Sequence, residues 1–136
     1  MESKGCYCIN FRRAANSITK YYDDYLKESS LTLNQFSLIK NILKIQPASI
    51  SDIASKVRLE RTTVVRNLKT LFKEGLIEDI SKENERNKQV IVTKKGKEIL
   101  DIAIPLWHEA QDNIEKILGM DNYNKSLEIF EIIDNL

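Results

Sequence analysis

Between Arg61 and Lys69 the chain carries Arg61, Thr62, Thr63, Arg66, Asn67 and Lys69. These side chains can do the chemistry of nucleic-acid recognition. A guanidinium holds a phosphate, or the major-groove edge of guanine, through two parallel hydrogen bonds. A threonine hydroxyl bonds a phosphate or a base, and its methyl can meet the methyl of thymine. A second set follows in the wholly polar run Ser81–Lys88, where Lys82, Asn84, Arg86 and Lys88 stand close together. Its cations can follow a phosphate backbone, and Arg86 is the choice for insertion into a minor groove.

Other chemistries find less support. There is no Gly-rich phosphate loop, no HExxH, no Gly-x-Ser-x-Gly and only one histidine, so no enzyme is expected. His108 beside Trp107 reads as an ordinary packed or surface residue, and Trp107 itself as core. Cys6 and Cys8 leave three readings open: packing residues, a redox sensor, or ligands that two copies of the chain pool around a metal. Two cysteines are too few for a structural zinc site within one chain, so no metal and no cofactor are expected. An intrachain Cys6–Cys8 disulfide would need a frayed helix start, because residues two apart on a helix point to different sides.

Helices must position the cationic sets. Ile9, Ala14, Ala15, Ile18, Tyr21, Tyr22, Tyr25 and Leu26 recur at helical spacing, and predict a long helix over 6–28. Thr32 with Gln35 three residues on fits a capping box, opening a helix through Phe36, Ile39, Ile42 and Leu43 that stops before Pro47. Ser49 with Asp52 repeats the device and opens a short helix through Ile53, Ala54 and Val57. Arg58–Glu60 is the turn, and the cationic helix then runs to about Glu74, ended by Gly75. Its successive Thr62, Thr63, Val64 and Val65 disfavour a helix. Packing of Val65, Leu68 and Leu71 or Phe72 against the core is expected to hold it. Leu76–Ile80 and Gln89–Thr93 predict a two-stranded hairpin whose tip is the second cationic set. Thr93 can cap a helix over 94–118, with Pro105 expected to kink or interrupt it, and a last helix is expected over 122–136.

Short helix, turn, second helix, hairpin: this order is a winged helix-turn-helix, whose second helix enters the major groove. The fold class is therefore mainly α with a small β-hairpin wing, carried between N- and C-terminal dimerisation helices. The expected division is 1–32 for the N-terminal dimerisation helix, 33–97 for the DNA-binding domain and 98–136 for the C-terminal dimerisation helices. Charge fits the division. Residues 49–97 hold twelve basic and seven acidic side chains, net +5, and the flanks are net −4 in a chain of net +1. Fluctuation in a charged protein would explain the charge equally well. Tyr123, Leu127, Phe130, Ile133 and Leu136 would form an exposed stripe on a monomer, which points to a homodimer; a hairpin with the first helix is the other reading, and the two are compatible. No apolar run approaches about 20 residues, so no membrane span is expected. Met1–Arg13 lacks a signal-peptide core, which makes the cytoplasm the default compartment.

The run DIASKVRLERTTVVRNLKTLFKEGLIE resembles the DNA-binding core of the multiple-antibiotic-resistance regulator (MarR) family, and VIVTKKG resembles that family's strand-then-helix signature. The resemblance implies an obligate homodimer that binds double-stranded DNA at a pseudo-palindromic operator, usually as a repressor. It also implies release by a small phenolic or other apolar ligand, or by cysteine oxidation. Cys8 falls where peroxide-sensing members carry their reactive cysteine, and Arg12 and Arg13 could assist it. The family's effectors sit between the wing domain and the dimer helices, where Tyr21, Tyr22, Tyr25 and Trp107 could line a pocket. One departure is visible: the family's wing usually carries Asp-x-Arg, and here the triplet is Asn84-Glu85-Arg86. The alternative function is a winged-helix module that binds other proteins without specific DNA contact.

Overall fold

A computed structural model describes residues 5–136. Six α-helices and one hairpin follow in the order α1 (Tyr7–Leu26), α2 (Leu33–Ile45), α3 (Ile50–Val57), α4 (Arg61–Lys73), β1 (Ile77–Asp79), β2 (Val90–Val92), α5 (Lys94–Leu118) and α6 (Met120–Asp134). A single 3-10 turn, Lys27–Ser29, closes α1. The predicted fold class, mainly α with a β-hairpin wing, is the one observed.

The local signals sit where the sequence puts them. Thr32 and Gln35 form a complete capping box at α2, and Ser49 and Asp52 form another at α3. Each satisfies backbone donors that a helix start leaves bare. Arg58 ends α3 in the left-handed region with φ 58°, and Gly75 does the same after α4 with φ 73°. The Thr93 hydroxyl accepts from the Gly96 amide at 3.0 Å and caps α5.

β1 and β2 pair antiparallel, with Ile77 opposite Val92 and Asp79 opposite Val90. Ala48, between α2 and α3, exchanges both backbone bonds with Val90 at 2.8 and 3.0 Å. The Gln46 side-chain oxygen accepts from the Val92 amide at 2.9 Å. The wing is thus tied to the helical part by an extra edge segment that hydropathy patterning does not reveal.

The core lies between α2, α3, α4, the hairpin and the first half of α5. Leu38, Ile39, Ile42, Ile53, Val64, Leu68, Leu71, Leu76, Ile77 and Val90 are almost fully buried in it. Each large apolar side chain so enclosed contributes roughly 1.5–3 kcal/mol relative to exposure. One expectation needs correction: Val64 is buried and Val65 is 42% exposed. The buried row of α4 is Val64, Leu68 and Leu71, and Val65 falls beside it, toward the wing.

α5 is also not interrupted at Pro105; one helix continues from Lys94 to Leu118. The proline lacks the amide that would bond the Asp101 carbonyl. Both residues are exposed, so water can serve that carbonyl. α6 begins at Met120, two residues before its expected start, and it buries no residue at all. Leu127, Ile129, Phe130, Ile132, Ile133 and Leu136 stay open, as do Tyr7, Ile9, Phe11 and Ile18 of α1. α1 packs chiefly on α5, and among the described residues α1 and α6 do not pair as a hairpin.

Candidate nucleic-acid interface

Thr62, Arg66, Lys69 and Lys73 fall at i, i+4, i+7 and i+11 along α4, one stripe opposite the buried row. All four are exposed. Thr63 and Asn67 lie half-buried on the flank of the stripe. Glu60 precedes α4 and no side-chain oxygen caps it there. The first amides of the helix therefore point outward without a local acceptor, which is the arrangement that receives phosphate.

Arg61 stands apart from the stripe and faces the wing. It lines a small depression with Ser49, Ile50, Ser51, Arg86, Asn87 and Lys88. The chain thus brings one cation from the start of α4 beside one from the wing, 25 positions later in the sequence. Among the described residues, Arg61, Arg66, Lys69, Lys82 and Arg86 make no ion pair with a carboxylate, whereas Arg58 reaches Asp134 at 3.3 Å. Unpaired cations gathered on one face form an electrostatic footprint for a polyanion.

Lys88 has a further partner. Its ammonium lies 4.9 Å from the centroid of the Phe72 ring, over a recess formed by Ile50, Val65, Leu68 and Phe72. This contact fixes the return leg of the wing to α4. Asn84 makes no side-chain hydrogen bond among the described residues, so no Asn84–Arg86 tie replaces the missing acidic residue. The wing is instead held at its base. One Asp79 carboxylate oxygen accepts from the Ser81 amide at 2.9 Å and from the Gln89 amide at 3.0 Å. Those amides, Ser81 first, hold the Asp79 carboxyl below its ordinary pKa. Sequence reasoning placed Asp79 only as a strand residue. Its partner Gln89 is ten positions away, and only the hairpin register brings them together.

The remaining expected site residues do not converge. Tyr22 donates to Gln111 and Asn113 donates to the Tyr25 hydroxyl at 2.7 Å, both across the α1–α5 contact. Tyr21 bonds Tyr25, and that bond first, then burial, pushes its phenol up to about 12. Trp107 is half-buried, stacks on Phe36 at 6.0 Å between centroids, and carries the Lys40 ammonium 4.8 Å from its ring. It lines a recess with Leu33, Phe36, Ser37, Lys40 and Lys44, and none of the three tyrosines lines it. His108 is exposed. Cys6 and Cys8 are both free and exposed, Cys6 preceding α1 and Cys8 within its first turn.

A family model described as the MarR family matches residues 31–88. The regulator SarZ of Staphylococcus epidermidis is 31% identical over 96 residues, 70% of this chain and 65% of SarZ, so the chain spans a little under two thirds of that relative. Among solved structures, the M. tuberculosis transcriptional regulator MosR in complex with DNA superposes with a TM-score of 0.81 at 29% identity, covering 96% of this chain and 98% of MosR. Bordetella bronchiseptica BpsR, whose DNA binding is regulated by 6-hydroxynicotinic acid, superposes at 0.86 with 15% identity over 100% of this chain and 98% of its own. At that identity the BpsR likeness speaks for the fold. These relatives are regulators rather than enzymes. The likeness to MosR runs through the end helices as well as α2–α4 and the hairpin, and residues 31–88 are those of a MarR-family domain.

Proposed function

We propose that the chain is a DNA-binding transcriptional regulator, acting as a homodimeric repressor in the cytoplasm. The observation that carries this reading is the face shared by α4 and the wing. There Thr62 of the exposed stripe stands with Arg66, Lys69 and the neighbouring Arg61 and Arg86, cations that make no ion pair with a carboxylate among the described residues. In this reading α4 enters the major groove with Arg61, Thr62, Thr63, Arg66, Asn67 and Lys69 toward bases and phosphates. The wing follows the backbone with Lys82 and Asn84, and Arg86 enters the adjacent minor groove. Lys88 serves the wing through Phe72 more than it serves DNA.

The open apolar faces of α1 and α6 support the dimer, because stripes of this extent on a monomer mark an interface. The working division is 1–32 and 98–136 for dimerisation and 33–97 for reading DNA. Its first four residues lie outside the described ones. Among the described residues no helix is long and apolar enough to cross a membrane. A dimer displays two copies of α4 about a twofold axis, so its operator is a pseudo-palindrome. Release by a small aromatic ligand draws support from BpsR and from the aromatic recess at Trp107. Release by oxidation draws support from the exposure of Cys6 and Cys8.

The test is fluorescence anisotropy of the purified protein on the DNA upstream of its own gene, at near-physiological salt with scrambled competitor. Competitor-resistant binding that Arg66→Ala weakens is the expected result. Binding that scrambled DNA abolishes, or that ignores Arg66→Ala, would overturn the placement of α4 and favour a protein-binding module.

A further inference from the structure

We infer that Asp79 is a positioning residue for DNA binding: its carboxylate clamps the base of the wing and so sets where Arg86 stands. The inference rests on the DNA-binding reading above. Its physical basis is the end of the hairpin ladder. Ile80 and Gln89 are the last opposed pair, and the Ile80 amide donates to the Gln89 carbonyl at 2.8 Å. In an antiparallel pair of this kind the Gln89 amide would return the bond to the Ile80 carbonyl. Here it turns to the Asp79 carboxylate instead, at 3.0 Å, while the same oxygen takes the Ser81 amide at 2.9 Å. One side chain thus ends the ladder, bends the outgoing strand at Ser81 and fixes the incoming strand at Gln89.

Little else orders the run between them. Within it, the Glu85 amide donates to the Lys82 carbonyl at 2.9 Å, and Lys88 rests on Phe72. Neither Asn84 nor Arg86 makes a side-chain hydrogen bond to another described residue, so the approach of Arg86 to the Arg61 side of α4 is set from the two ends of the loop. The Phe72 seat holds one end and the Asp79 clamp holds both strands. A carboxylate close to DNA repels phosphate, so its presence here is better explained by the two amides it receives than by contact with the nucleic acid.

Asp79→Ala removes the acceptor, and Asp79→Asn keeps an acceptor oxygen without the charge. The first readout needs no DNA: amide hydrogen exchange in the free protein. Asp79→Ala should speed exchange at Ser81 and Gln89, and Asp79→Asn should restore most of the protection. Unchanged exchange at both amides in Asp79→Ala would overturn the clamp, whether or not the protein binds an operator.

The second readout is a double-mutant cycle on operator affinity and its salt slope. Arg86→Ala alone should flatten the log–log salt slope by about 0.9 if its contact is a phosphate. Asp79→Ala should flatten it comparably, and the double variant should go little further. Fully additive losses, or an Asp79→Asn protein as weak as Asp79→Ala, would overturn the positioning role. A wild-type protein without specific binding would instead refute the DNA-binding reading, and the exchange result would still decide the clamp.

Discussion

Gly96 sits where the first turn of α5 closely approaches Leu76 and Val92 of the hairpin. A methyl group built there would lie 2.2 Å from the Leu76 carbonyl oxygen and 2.8 Å from a Val92 methyl. The Val92 side chain can rotate, but the Leu76 oxygen is backbone and accepts from the Thr93 amide at 3.1 Å. Relief requires the first turn of α5 to move by about 1 Å from the sheet, which breaks that bond and loosens the Thr93 cap. The lost bond is worth about 1 kcal/mol. The weakened cap costs about another. Residual overpacking adds roughly 1–3 kcal/mol. Alanine repays only about 1 kcal/mol as the better helix former. Gly96→Ala should therefore destabilise the protein by about 2–4 kcal/mol, although propensity alone predicts stabilisation. Urea unfolding at one fixed protein concentration measures the difference, since a dimer's stability depends on concentration. A variant as stable as wild type, or more so, would refute the close approach of α5 to β1.

Four other outcomes follow from the same structure. Val64→Ala should cost about 2 kcal/mol by lost burial and cavity, and Val65→Ala well under 1 kcal/mol, read by the same urea midpoints; equal costs would restore the sequence-based assignment of Val65 to the core. Arg66→Ala should weaken operator binding by about 1–3 kcal/mol if it contacts a base, with an unchanged unfolding midpoint. Charge placed at the open face of α6, as Leu127→Asp with Phe130→Asp, should shift sedimentation from dimer to monomer and abolish operator binding; a dimer that persists would place the interface elsewhere. The Asp79 carboxyl has a depressed pKa in the fold, so the order it gives the wing is complete above its ordinary value of 3.8 and is lost as pH falls through the depressed one. Circular dichroism and amide exchange from pH 6 downward should show Ser81 and Gln89 losing protection in acid, and Asp79→Asn should remove that dependence.

Interactions within a few residues were legible in the sequence. Both capping boxes, the Thr93 cap, the Gly75 stop and the turn at Arg58 each involve side chains and amides three or four positions apart, and each lies where the residue types predict. The order of those elements then sufficed for the winged helix-turn-helix. What was not legible depends on register and on which side of a helix meets a neighbour. Val64 and Val65 are chemically identical, and a shift of 100° about the helix axis decides between them. The Ala48 bridge and the Gln46 bond to Val92 join segments more than 40 positions apart. The family resemblance offers Tyr21, Tyr22, Tyr25 and Trp107 as the lining of one pocket. Yet the tyrosines bond along and across the α1–α5 contact while Trp107 turns to α2.

The wing shows why the missing acidic residue of its triplet did not decide its order. A family pattern records which residue usually supplies a contact, whereas folding requires only that the contact be supplied. Asn84 lacks the charge of the aspartate it replaces, and taken alone that change suggests a looser Arg86. The loop needs its two ends fixed, and a carboxylate at Asp79 meets two amides where the strands diverge. Lys88 adds a seat on α4. Such a wing is held from below rather than across its tip, so the tip residues stay free for a partner. Arg86 can then be replaced without disturbing the hairpin, and Asp79 cannot be stripped of its acceptor without disturbing Arg86. That asymmetry separates a contact residue from the residue that places it.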